Sequence, residues 1–373
     1  MEIFKHLICA FLDIVALTVL VHAQSQSGFI SIDCGFPENS TYTDKKTGIE
    51  YTSDVNFTET GVSYNISREY KRNSLEKPFP TVRSFPKGIK NGYTLKPARG
   101  NFRLFIRASF MYGDYDGLNK VPRFDLLLGA DVWDSVELAN ASTIVTKEVL
   151  HVPRTNYVYV CLLNTGLGTP FISSLELRLL KNSSYKTQSR SMQLYLRWDL
   201  GSKSNKPIRY KDDIYDRIWS PYTTSDWETI STSFQVSPDM NFQQPSAVMS
   251  TAVIPAVDNK SLTFSWNTSN STSQHYVYMH FSELQYQINN QTRQMHIYAN
   301  GKSWYDHQVR FPYLVADFVY STRPESILEF SINETEESPL PPMVNAIEIY
   351  QAKEFPQFLT NQQDGIFLSK QYI

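Results

Sequence analysis

An all-β protein made of two tandem β-sandwich modules is the fold this sequence predicts, and three observations predict it. Short alternating runs rich in β-branched and aromatic residues recur along the whole chain. Gly, Pro, Asn and Asp separate these runs as turn formers. One set of motifs also occurs twice, in the same order. No long 3.6-residue periodicity competes with this reading.

The elements follow in chain order. Residues 1–23 read as a signal peptide. Lys5 supplies a positive start, Leu7 to Leu20 is mostly apolar, and Val21-His22-Ala23 gives a small-x-small cleavage site before Gln24. Asp13 and Thr18 interrupt that run, which is shorter than the roughly 20 residues a membrane helix needs. No later stretch of the chain is apolar enough to span a bilayer. A first module is expected over 28–180. Its clearest strands are Phe29 to Ile32, Arg103 to Ile106, Phe124 to Leu128, Tyr157 to Val160 and Leu175 to Arg178. Residues 181–192 are polar and short, which is linker chemistry that keeps two modules in touch. A second module is expected over 193–351, and 352–373 forms a C-terminal tail.

The repeat ties the modules together. Ile32-Asp33-Cys34-Gly35 matches Trp198-Asp199-Leu200-Gly201, and Tyr51 to Asp54 matches Tyr210 to Asp213. Arg107-Ala108-Ser109 recurs as His280-Phe281-Ser282, and Phe124 to Gly129 loosely as Met295 to Gly301. Ile172 to Leu177 recurs as Val344 to Ile349. Strand alternation then turns Leu175, Leu177, Ile347 and Ile349 into their cores and Glu176 and Glu348 the other way.

Composition points outside the cell and away from several functions. Ten N-x-Ser/Thr sequons, at Asn39, Asn56, Asn65, Asn140, Asn182, Asn259, Asn267, Asn270, Asn290 and Asn333, predict an N-glycosylated surface. A net charge of −2 offers no electrostatic case for nucleic acid. Cys34 and Cys161 either form one bridge, which an oxidising compartment favours, or are two buried small hydrophobes. The histidines lack metal-ligand spacing, so no metal or cofactor is expected. The adjacent acids Asp212-Asp213 and Glu336-Glu337 point to opposite faces of a strand and do not pair as acid and base. No nucleophile elbow occurs, and the chain reads as a binding protein rather than an enzyme.

Two equivalent loops are the candidate ligand sites. Sugar recognition needs flat aromatic faces together with carboxylates or amides for the hydroxyls. Tyr112, Asp114, Tyr115 and Asp116 supply both within the run Phe110 to Gly117. Tyr286 is the aromatic residue of the equivalent loop in the second module. The alternative reading packs both tyrosines on the sheet and uses the aspartates to make turns.

Three segments carry a family resemblance: Ile32 to Gly35, Leu162 to Arg178, and Arg209-Tyr210-Lys211-Asp212-Asp213 with Tyr215-Asp216-Arg217 and Trp219. They resemble the malectin-like ectodomain of plant leucine-rich-repeat receptor-like kinases, over about 28–358. The resemblance implies two tandem malectin-like β-sandwich modules at the cell surface. It also implies a ligand that is a cell-wall or microbial oligosaccharide, or alternatively a secreted peptide or co-receptor ectodomain. Met279 to Gly301 is also similar to animal malectin, whose aromatic pair falls at Met111 and Tyr112, or at Gln285 and Tyr286.

Overall fold

The computed structural model describes residues 26–98, 102–256, 260–266, 273–286, 292–305, 308–327 and 329–355. The expected signal peptide lies outside these residues, as do Asn259, Asn267, Asn270, Asn290 and the tail beyond Phe355. Among the described residues, regular structure is almost entirely strand. One long mixed sheet of eleven strands organises the molecule. From one edge it runs Thr41–Thr43, Glu50–Ser53, Ile30–Asp33, Ser174–Lys181, Phe102–Met111 and Ile144–His151. It continues through Ser191–Leu200, Ala346–Lys353, His275–Phe281 and Asp317–Tyr320, with Ser220–Tyr222 beside Ser191–Leu200.

Alternation explains how one sheet serves two sandwiches. Leu104, Ile106, Ala108 and Phe110 face a first core, closed by strands such as Arg123–Leu128 and Val158–Leu167 of a separate four-stranded sheet. Val277, Met279 and Phe281 face a second core, closed by Ser261–Ser265, Glu329–Glu334 and Met295–Ala299. Leu175 and Leu177 sit fully buried in the first core, and Ile347 and Ile349 in the second, as alternation predicts.

The two halves join where Ile144–His151 pairs antiparallel with Ser191–Leu200, placing Leu150 opposite Met192. Both of those residues belong to a third cluster, on the face opposite the two cores, with Phe105, Tyr185, Tyr276, Tyr278 and Tyr350. The long sheet is therefore covered on both sides at its centre. The polar run 181–192, read above as a linker, supplies part of that cover: Tyr185 is fully buried and Ser184 donates to the Asn241 carbonyl at 2.7 Å. Asp213, Asp216 and Arg217 add further buried groups to the same layer.

The cysteine bridge is not formed. Cys34 and Cys161 are both free and buried. Cys34 packs in the first core, whereas on strand Val158–Leu167 it is Val160 and Leu162 that face that core. Cys161 lies between them and points to the other side of its sheet. One layer of backbone separates the two thiols, and burial raises the pKa of each.

Candidate functional site

The loop expected to stack on sugars closes on itself. Strand Phe102–Met111 ends in a tight turn with positive φ at Gly113, Asp114 and Gly117. Tyr112 is fully buried and Tyr115 is 8 % exposed, and both rings lie against Phe171 with centroids 6.0 and 5.4 Å away. The Tyr112 hydroxyl bonds to the Asp116 carboxylate and lies 3.1 Å from Asp114 Oδ1. Asp114 Oδ1 also accepts from the Asn119 backbone at 2.7 Å, and the Tyr115 hydroxyl meets Ser84 Oγ at 3.0 Å. Burial and the Asp116 partner push the Tyr112 phenol well above its ordinary range. All four residues thus build and cap a turn, and neither ring offers a face to a sugar. Of the two readings of this loop, the structure has the one in which the tyrosines pack on the sheet and the aspartates hold the turn.

The equivalent loop of the second module differs. Tyr286 is 74 % exposed and sits edge-on to Tyr313 at 5.5 Å. Beside it, Arg293 binds Glu283 at 2.9 Å and Gln285 Oε1 at 2.7 Å, fixing the base of the loop. Tyr286 is the one predicted ligand residue that the fold leaves open.

The chemistry that sequence reasoning missed lies on the central sheet, opposite the cores. Arg107, on strand Phe102–Met111, points away from the first core and binds Glu148 at 2.7 Å, Glu176 at 3.1 Å and Asp216 at 3.1 Å. Arg178 binds the same Glu176 and Asp216, each at 2.8 Å. Arg197 bridges the halves, holding Glu148 at 2.8 Å and Glu348 at 2.7 Å. Arg217 and Asp213 form a further fully buried pair at 2.8 Å. Burial would raise the pKa of Asp216 and Glu176, but the surrounding arginines, led by Arg209 for Asp216 and Arg107 for Glu176, hold both carboxyls below their ordinary range. The repeated glutamate inside an aliphatic strand was the available signal. The Arg209 to Arg217 run that supplies several partners was also visible in the sequence.

Next to this network a cleft of about 400 Å³ opens on the first module. Arg107, Glu176 and Arg209 line it together with Tyr70, Leu75 and Ile144. Arg209 is held by Asp216 through Nε at 2.9 Å and Nη2 at 2.9 Å, and by Glu176 at 3.3 Å. Among the described residues no cluster of His, Cys, Asp and Glu could hold a metal ion.

Comparisons with known proteins fit this architecture. A family model for the malectin-like domain matches residues 32–352. The chain belongs to the malectin-like family. A leucine-rich repeat receptor-like protein kinase of Arabidopsis thaliana is 45 % identical over 351 residues, covering 93 % of this chain and 40 % of its own length. A leucine-rich repeat receptor-like serine/threonine-protein kinase of the same plant is 38 % identical over 372 residues, covering 98 % and 42 %. The chain thus spans about two fifths of the length of these relatives. Among solved structures, the ANX2 ectodomain from Arabidopsis thaliana superposes with a TM-score of 0.71 at 17 % identity, covering 88 % of this chain and 97 % of that one. A structure of the plant peptide RALF23 in complex with FER and LLG2 contains a chain matching with a TM-score of 0.66 at 18 % identity, covering 87 % and 94 %. These likenesses establish the fold. The malectin-like match fills residues 32–352, and the ANX2 chain on which the fold superposes is an ectodomain.

Proposed function

We propose that this protein is a ligand-binding ectodomain of the receptor-like kinase type, serving wall or immune signalling, whose ligand is a secreted peptide or co-receptor ectodomain rather than an oligosaccharide. The observation that carries this reading is the burial of Tyr112 and Tyr115. Stacking on sugar needs open aromatic faces, and the first module spends both rings on its core. A peptide instead needs a concave surface with mixed apolar and charged walls, which the cleft beside Arg209 provides. A fold neighbour whose structure includes a peptide and a further protein supports the same reading.

Export belongs to this proposal: a signal peptide at 1–23, modules over 28–180 and 193–351, and placement in the extracellular space or on the outer face of the plasma membrane. Glycans fit it as well, since Asn39, Asn56, Asn65 and Asn140 are exposed, whereas Asn182 and Asn333 are only partly so. The test is a binding screen of the secreted, glycosylated protein against wall oligosaccharides and secreted peptides. Peptide binding without sugar binding is the expected outcome. Sugar binding abolished by Tyr112→Ala in a protein that still folds would overturn it.

A further inference from the structure

The cleft beside the buried ion network has a charged group with one unused side. Arg209 is fixed by Asp216 and Glu176 through Nε and Nη2, yet its side chain is still 15 % exposed. Its Nη1 is ion-paired at long range with Glu76, at 3.7 Å and beyond hydrogen-bond reach, and has no closer partner among the described residues. Glu76 is itself half exposed, so it can move aside at little cost. A guanidinium held this way has little side-chain freedom left to lose, which favours binding through its open edge.

We infer that this cleft captures a carboxylate-bearing segment of a peptide, with the carboxylate on Arg209 Nη1 and apolar side chains against Leu75, Phe79, Met111 and Ile144. This rests on the peptide reading above. The charges agree with it. In the lining Arg72 balances Glu76, while Arg107, Arg209 and Glu176 belong to the ion network behind it. The network behind it is already closed, with Arg107, Arg178, Arg197, Arg209 and Arg217 matched by Glu148, Glu176, Glu348, Asp213 and Asp216. An arriving carboxylate therefore meets no surplus of buried acid. The walls also favour a peptide over an acidic sugar. Tyr51 is 3 % exposed with its hydroxyl on Glu176 at 2.8 Å, so it gives no stacking face, and Tyr70 is the one partly exposed aromatic ring of the lining. Leu75, Phe79, Met111 and Ile144 suit aliphatic side chains.

The rim carries the sequon Asn140-Ala141-Ser142, whose Ser142 lines the cleft. The experiment therefore uses the full chain in an Asn140→Gln background. A library of N-acetylated hexapeptides, each prepared as free acid and as amide with and without an internal Asp or Glu, is screened by affinity-selection mass spectrometry. Hits are then titrated by calorimetry. Bound peptides are expected to need a carboxylate, and its replacement by an amide should weaken binding about tenfold or more, the range for a lost charge-assisted pair. Arg209→Gln should reproduce that loss. Ile144→Glu, a change at a rim residue 43 % exposed and outside both cores, should also weaken binding and leaves the buried network intact. It keeps the test open should Arg209→Gln fail to fold, with folding read by circular dichroism. Peptides that bind Ile144→Glu and their own amides unchanged would overturn this site and leave the peptide reading standing. Binding of uronic-acid oligosaccharides alone, or of neither class, would overturn both.

Discussion

Glu176 and Glu348 hold equivalent places in the two modules, each between two aliphatic residues that face a core. The fold keeps the carboxylate in both and changes what neutralises it. Glu176 meets Arg107 at 3.1 Å, Arg178 at 2.8 Å and Arg209 at 3.3 Å. Glu348 meets one arginine, Arg197, at 2.7 Å, and otherwise the hydroxyls of Tyr185 at 3.0 Å and Tyr350 at 2.5 Å. Where the first module has Arg107 the second has His280, 3.2 Å from Glu348. Burial lowers the pKa of His280, although Glu348 pulls the other way. The acid of the first module thus sits among arginines, with Arg209 and Asp216 of the second half completing a layer that reaches the surface at Arg209, and the acid of the second sits beside one arginine among aromatic hydroxyls. The duplicated scaffold fixes where a buried acid sits, and the partner residues decide whether that place can serve a ligand.

The largest effect expected from this contrast is at Arg107. Arg107→Met leaves Glu148, Glu176 and Asp216 buried with fewer cations and should cost about 3–5 kcal/mol. His280→Gln perturbs a hydrogen bond to the Glu348 carboxylate at 3.2 Å and a contact with Gln244 at 3.3 Å, and should cost no more than about 1.5–3 kcal/mol, the range for a bond to a charged group. Chemical denaturation of the two variants measures both. Equal losses would break the distinction between an acid surrounded by arginines and one surrounded mainly by aromatic hydroxyls.

The cores should respond alike where the charged layers do not. Leu175→Ala and Ile347→Ala each truncate a buried side chain and should each cost about 2–5 kcal/mol. The turn glycines sharpen the comparison. Gly35 and Gly201 both have positive φ, and a Cβ would lie 2.2 Å from the Val82 carbonyl oxygen in one and 2.8 Å from the Ala252 carbonyl oxygen in the other. Each Gly→Ala carries the left-handed penalty of about 1–2 kcal/mol. Gly35→Ala should cost more, because the backbone it meets must move further. Thermal melts that rank Gly201→Ala as the worse variant would contradict this geometry.

The fold was largely legible because alternation and repetition are local signals. Leu175-Glu176-Leu177 and Ile347-Glu348-Ile349 announce strand, facing and duplication together. What covers the other face was not legible. A glutamate turned away from one core reads as solvent-exposed until a distant segment such as Asn182 to Arg190 folds over it. The loop at Tyr112 was left with two readings for a different reason. Two tyrosines beside two aspartates look the same whether they grip a sugar or one another. Positive φ at Gly113 and Asp114 decides between these, by turning the Tyr112 hydroxyl onto its own loop. The cysteines failed on facing: sequence placed both on strands but not on which side of the intervening sheet each would lie.

The mildest test uses the acids of the repeated turn. Asp33 and Asp199 are equivalent and each is 1 % exposed. Burial raises both to about 7, against the hydrogen bonds that favour the charged form. An unfolded aspartate titrates near about 3.9, so between about pH 4 and 7 the folded chain holds the extra proton. Stability contributed by each acid therefore falls as pH rises through that window, by up to about 1.4 kcal/mol per pH unit. His151, lowered to about 4 by burial and nearby arginines, and His280 act in the opposite sense, but they are the same in wild type and variant. The stability of Asp33→Asn relative to wild type should thus improve from pH 5 to 7 with that slope, and Asp199→Asn should match it. Asp33 has two close donors, Thr81 at 2.7 Å and Tyr42 at 2.8 Å, whereas Asp199 has Ser202 and, at 3.4 Å, Thr251. If urea midpoints across this range show a flat difference for Asp33 alone, those hydroxyls hold it ionised, and the two modules differ at the one turn they otherwise share.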